Sequence, residues 1–174
     1  VELVSDVKPY EEVKLKLILS THLLVAWAGT LVGFKHIHES VQDQDINAMV
    51  RVLIDHDVIP TLTPSPVDLA KCRDTTLERF SNQYILDTNQ RVLADSYSKI
   101  PSFIVPTVKR CLDNGIEPVG TATCLAMYFR FLERWHNNCL PIDYKDGALD
   151  PNVVHGFFTS ADPLKAFLSV EQLW

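Results

Sequence analysis

The stretch from Leu15 to Val32 constrains this chain more than any other, because it is long and apolar but interrupted by Lys16, Ser20, Thr21 and His22. Four such residues would be expensive in a lipid core, so the stretch reads as a buried helix and not as a membrane span. Pro9-Tyr10-Glu11-Glu12 supplies its start, with proline in the first turn and carboxylates where the helix dipole favours them. The helix is expected to run to about Leu31, with Gly33 ending it. Val13, Leu17, Ile18, Leu19, Leu23, Leu24, Val25 and Trp27 surround it on most sides. That distribution belongs to a central helix packed by several neighbours.

The remaining punctuation is also helical. Asp43 to Asp57 carries Ile46, Met49, Val50, Leu53 and Ile54 at three- and four-residue spacings, ahead of an expected stop at Ile59-Pro60. Ser65-Pro66 is expected to cap a third helix running to about Asn82, with Leu69, Cys72, Thr76, Leu77 and Phe80 as its buried stripe. Further helices are expected at about Asp87–Ser96, from Pro101 to Asn114-Gly115 with a bend at Pro106, at Pro118–His136, and after Pro151 and Asp162-Pro163. Strand signals are confined to Leu3-Val4 and Leu140–Tyr144. The expectation is an all-α multi-helix bundle, with residues 1–174 forming one domain: 174 residues, 47% of them hydrophobic, suffice for one substantial core.

Charge and cysteine usage exclude several functions. A formal charge of −6 without any Lys/Arg cluster argues against nucleic-acid or anionic-membrane binding. Cys72, Cys111, Cys124 and Cys139 form no CxxC pair, so neither a zinc knuckle nor a thioredoxin-type motif is expected, and a reducing cytoplasmic setting fits. No secretory signal pattern opens the chain, although it begins at Val1 without Met, so further segments are expected upstream. None of the six glycines forms a GxGxxG or GxxxxGKS turn, so no phosphate cradle is expected within these residues.

Polar groups on the apolar helix need a reason. Lys14 and His22 are eight residues apart, about 12 Å along the axis and about 80° around it, so both can border one cleft. Burial of a lysine disfavours its charged form, which suits an ammonium to acid/base work near neutrality. The structural alternative is a lysine snorkelling to solvent and a hydrogen-bonded core histidine. His36, His38 and Glu39 come nearest to a metal cluster, but HxHE without a third well-placed ligand is read as a structural motif at a helix start, and no metal is expected.

The opening VELVSDVKPYEEVKLKLILSTHLLVAWAGTLVGFKHIHES, with LERFSN at Leu77–Asn82, DSYSKIP at Asp95–Pro101 and VPTVKRCLDNG at Val105–Gly115, resembles the C-terminal domain of the mannitol dehydrogenase family. These are polyol-specific long-chain dehydrogenases that include arabinitol and mannitol-1-phosphate dehydrogenases and the fructuronate and tagaturonate reductases. The resemblance implies a helical substrate-binding domain, like that of phosphogluconate-type dehydrogenases. It also implies an N-terminal Rossmann domain that binds NAD or NADP, and a metal-independent exchange of a polyol with its ketose, or of a sugar acid with its keto form. The family's KxxxxNxxH motif places its acid/base lysine on Lys14 and its histidine on His22, while its asparagine position is Leu19. An aliphatic side chain cannot polarise a carbonyl, so either Ser20 or Thr21 substitutes or activity is altered. Arg130, in YFRFLERW, resembles a family arginine near the polyol; its alternative is a surface arginine paired with Glu133 or Glu117. Arg79 and Lys99 are read as structural. Leu19 also leaves open a helical interaction domain that kept the fold and lost the chemistry.

Overall fold

Helix α1 spans Lys8–Val32 and occupies the centre of the molecule. The computed structural model describes residues 3–174. Of the most apolar window of α1, 67% is buried, with Leu17, Leu24, Val25, Ala26 and Trp27 completely so. It is long and apolar enough to cross a membrane, yet its surface is consumed by neighbouring helices. Gly33 ends it at φ 105°, a left-handed value that glycine adopts without strain, and the N–H groups of Gly33 and Phe34 both return to the Gly29 carbonyl.

Around α1 lie α2 (Ile37–Gln42), α3 (44–62), α4 (Leu69–Phe80), α5 (Asn89–Leu93), α6 (Ile100–Phe103), α7 (Val105–Asp113), α8 (Val119–His136), α9 (Pro151–Thr159) and α10 (Pro163–Leu168). The C-terminal half of α1 packs on α2, α3, α5 and α8. Among the described residues there is no β-strand, only one antiparallel bridge between His36 and Thr88. The chain is therefore all-α, as its periodicity predicts.

Both strand expectations fail. Leu3-Val4 is irregular, as is 140–144, although Leu140, Ile142 and Tyr144 do alternate inward with exposed Pro141 and Asp143. The alternation is genuine, but among the described residues there is no neighbouring strand to pair with; Tyr144 instead packs edge-on against Phe131 and Trp135. Pro60 does not stop α3 either. It follows a π-helical turn at Val52–Val58, where wider bonding leaves room for a ring that would collide with an α-helical carbonyl. Nor does Ser65-Pro66 cap α4: Ser65 accepts from the nearby Val67 N–H, and Asp68 caps the helix through the Lys71 N–H. At Pro106 the helix breaks instead of bending, with Ile104 (φ −111°) separating α6 from α7.

One buried carboxylate joins α3 to α8. Asp57 accepts from the Thr121 N–H at 2.6 Å and the Thr121 hydroxyl at 2.9 Å, so it caps a helix whose own N-cap, Pro118, has no side chain to offer. His56 Nδ1 lies 2.7 Å from its other oxygen. Gly120 permits this approach, because a Cβ there would stand 2.7 Å from the backbone nitrogen of Leu53.

Candidate active site

Residues Lys14–Leu19 of α1 form a π-helical turn, closed by the Ser20 N–H bonding to the Leu15 carbonyl. Such turns recur at functional sites because they redirect side chains within a helix. Here Lys14, Ile18, Leu19 and His22 all face one cleft of about 470 Å³. Thr76, Arg79 and Phe80 of α4 form the opposite wall, and Ile85, Asp87 and Arg91 close one side. The last two are positioned by a buried hydrogen-bonded pair, in which Asn89 Nδ2 donates to the Phe34 carbonyl at 2.9 Å and to the Ser40 hydroxyl at 3.0 Å. That pair ties the start of α5 to the end of α1.

His22 is half-buried and stacked on Phe80, with ring centroids 4.5 Å apart. Its Nε2 has no hydrogen-bond partner among the described residues, although Asp87 Oδ2 lies 3.5 Å away. Burial lowers its pKa to about 4; Asp87 opposes the shift, and the positive charges of Arg91, Lys99 and Arg79 reinforce it. The imidazole is therefore neutral near pH 7, on a residue that lines the cleft and whose Nε2 keeps its hydrogen-bonding capacity unused. Asp87 is itself held below the usual carboxylate range, chiefly by the Arg91 guanidinium, which donates to both its oxygens at 2.5 Å.

Lys14 stands exposed at the cleft rim, with no side-chain hydrogen bond among the described residues. These residues do not supply the burial expected for it. Lys16 is the buried lysine; it pairs with Glu12 at 3.1 Å and does not line the cleft. Leu19 lies on the wall between Lys14 and His22. Neither Ser20 nor Thr21 reaches that wall: the Ser20 hydroxyl donates to the Lys16 carbonyl, and Thr21 is fully buried. Of the two alternatives that Leu19 leaves open, substitution by a neighbouring hydroxyl thus has no geometric basis.

Arg130 is not brought to this cleft. It is exposed and paired with Glu133 one turn along α8, the surface arrangement its sequence also allowed. The cleft arginines are instead Arg79, read from sequence as structural, and Arg91, whose one signal was an aspartate four residues earlier. Lys99 borders a smaller cavity of about 230 Å³ that shares Leu19, His22 and Arg91 with the cleft.

His36, His38 and Glu39 have ligand atoms within 4.8 Å of one another. The Glu39 carboxylate, however, accepts the N–H groups of His36 at 2.7 Å and Lys35 at 3.0 Å, making a capping box at the start of α2. That is the helix-start role expected of the motif. For a dinucleotide, the apolar wall of Ile18, Leu19 and Phe80 beside His22 suits a flat ring. Gly33 and Gly115, the glycines at positive φ, follow helices and form no phosphate turn.

The sequence profile described as the mannitol dehydrogenase C-terminal domain matches residues 6–174. The chain is 48% identical to a D-arabinitol 4-dehydrogenase of Ralstonia nicotianae over 99% of its length, and 46% identical to one of Klebsiella pneumoniae over 96%. In each case it spans 37% of the relative. Its fold superposes on Pseudomonas fluorescens mannitol 2-dehydrogenase, solved as a ternary complex with NAD and D-mannitol, with a TM-score of 0.88 and 34% identity, covering 99% of this chain and 35% of that one. With the profile matched almost end to end and an all-α fold shared with a solved relative, the chain belongs to the mannitol dehydrogenase family, as its C-terminal domain.

Proposed function

We propose that this chain is the substrate-binding and acid/base part of an NAD- or NADP-dependent dehydrogenase that interconverts a polyol and its ketose without a metal, completed by an N-terminal Rossmann domain of the same polypeptide. The observation that carries the reading is the buried Nε2 of His22, without a hydrogen-bond partner among the described residues, on a side chain that lines the same cleft as Lys14. In the oxidative direction Lys14 Nζ takes the alcohol proton, and in reduction it returns one to the forming alkoxide. Neutral His22, with its N–H on Nε2, donates to the reacting oxygen and fixes its position between Lys14 and Leu19. Arg91, held rigid by Asp87, offers its remaining N–H donors to substrate hydroxyls. When bound, the nicotinamide accepts or returns the hydride. A second wall over the exposed rim would exclude water from Lys14, which this domain alone does not do. Four free cysteines accord with a cytoplasmic setting.

Single-turnover hydride transfer by the complete polypeptide, followed through the nicotinamide absorbance with arabinitol, mannitol and their ketoses, tests the reading. A rate on one such pair that collapses in Lys14→Met is expected; no transfer with any polyol or ketose overturns it. Leu19 favours a second reading, a domain with impaired chemistry, which that same absence of transfer would support.

A further inference from the structure

A third cavity, of about 290 Å³, continues the cleft along α4, sharing Ile18, Thr76 and Arg79 with it and adding Lys71, Cys72 and Thr75. The charges along this continuous groove are lopsided. Lys14, Lys71 and Arg79 project into it, and among the described residues none of the three side chains makes an ion pair or hydrogen bond. The two carboxylates nearby are already committed, Asp87 to Arg91 and Asp68 to the α4 N-terminus. Among the other arginines, Arg73 pairs with Asp55 and Asp74 and Arg130 with Glu133, whereas Arg51 bonds the Asn47 side chain and Arg134 the Leu31 carbonyl. In a chain with a formal charge of −6, three cations without carboxylate partners among the described residues thus line one concave, partly apolar groove. The positive field reaches His22, whose protonation Arg79 opposes.

We infer that the α4 end of the groove, formed by Lys71, Thr75 and Arg79, is an anion subsite that takes a phosphate or carboxylate group of a molecule whose other end lies beside His22. The guanidinium of Arg79 presents a planar fork of donors matched to such oxygens, Lys71 adds a point charge, and the Thr75 hydroxyl adds one neutral donor. A neutral polyol needs none of these. The anion therefore belongs either to the pyrophosphate of the dinucleotide or to the acid terminus of an anionic substrate, and this choice alone rests on the dehydrogenase reading.

Isothermal titration of the 174-residue chain, whose apolar core is continuous, separates these sources without requiring turnover. The probes are inorganic pyrophosphate for the cofactor, and gluconate compared with neutral sorbitol for an acid substrate. Saturable pyrophosphate binding, or a preference for gluconate over sorbitol, is expected, weakening as salt rises. Arg79→Gln should weaken it roughly ten- to a hundredfold, the worth of a charge-assisted fork. Lys71→Gln should weaken it less, and Lys165→Gln, on α10 and lining neither cavity, not at all. Arg79 is exposed and unpaired, so its variant should keep the parent's melting temperature. Absence of saturable binding by pyrophosphate together with equal affinity for gluconate and sorbitol, or binding indifferent to Arg79→Gln, overturns the subsite while leaving the hydride-transfer reading to its own test.

Discussion

His22 Nε2 lies 3.5 Å from Asp87 Oδ2 without a hydrogen bond between them, because the carboxylate is turned onto the Arg91 guanidinium. The histidine thus gains too little from its acidic neighbour to offset its burial, and its pKa falls to about 4. The unfolded chain then binds the extra proton between about pH 6.5 and pH 4 while the folded chain does not, so stability is complete above that window and falls as pH drops through it. The loss is on the order of 3 kcal/mol at most. Urea unfolding at steps across this range should show the decline in the parent and its removal in His22→Gln. Asp87, itself depressed, adds acid sensitivity only below the ordinary carboxylate range. An unchanged midpoint from pH 7 to pH 4.5 would contradict the buried neutral imidazole.

In the complete polypeptide Lys14→Met should slow hydride transfer about a hundred- to ten-thousandfold, the usual contribution of an acid/base group. Lys16→Met, altering a buried side chain paired with Glu12 away from the cleft, should leave the rate within a few-fold. Equal losses in both variants would detach the chemistry from the cleft.

Leu19→Asn places an amide on the wall between Lys14 and His22, where no hydroxyl of Ser20 or Thr21 reaches. If an absent donor limits the reaction, single-turnover rates should rise, by up to about a hundred- to a thousandfold. A rate that stays flat would show that Lys14 and His22 already stabilise the oxygen fully.

At the α3–α8 contact, Gly120→Ala drives a methyl group into the Leu53 backbone, which cannot swing aside as a side chain would. A loss of about 1–3 kcal/mol is expected from this overpacking. Asp57→Ala should cost a similar amount by leaving the Thr121 N–H buried without its acceptor. Chemical denaturation measures both, and a melting temperature unchanged in Gly120→Ala would refute the close approach.

How much was legible in the sequence depended on whether a signal was local. The Gly33 stop, the helix start at His36-Ile37-His38-Glu39 and the inward stripe of α4 are decided by neighbours a few residues apart, and all three are present. The pattern Leu140, Ile142, Tyr144 was equally visible, but whether alternation means a strand depends on a partner elsewhere in the chain, and the described residues hold none. Arg79, Asp87 and Arg91 enter the cleft through the packing of α4 and α5 against α1, which no periodicity reports. Arg130 looked like a ligand through similarity of its surroundings, yet its α8 position turns it to Glu133.

The π-helical turn at Lys14–Leu19 makes counting along this helix deceptive. A π turn holds more residues than an α turn, so it acts as a phase shift between two otherwise regular stretches. Deleting one residue inside it would restore the α-helical phase. His22 and everything after it could stay seated against α5 and α8, while the segment before the turn would rotate by about 100°. Lys14 would then leave the rim of the cleft, although its composition and hydrophobicity were untouched. The spacing between lysine and histidine is thus a setting of rotation as much as of distance, and a shortened version of this motif would carry both residues without bringing them together.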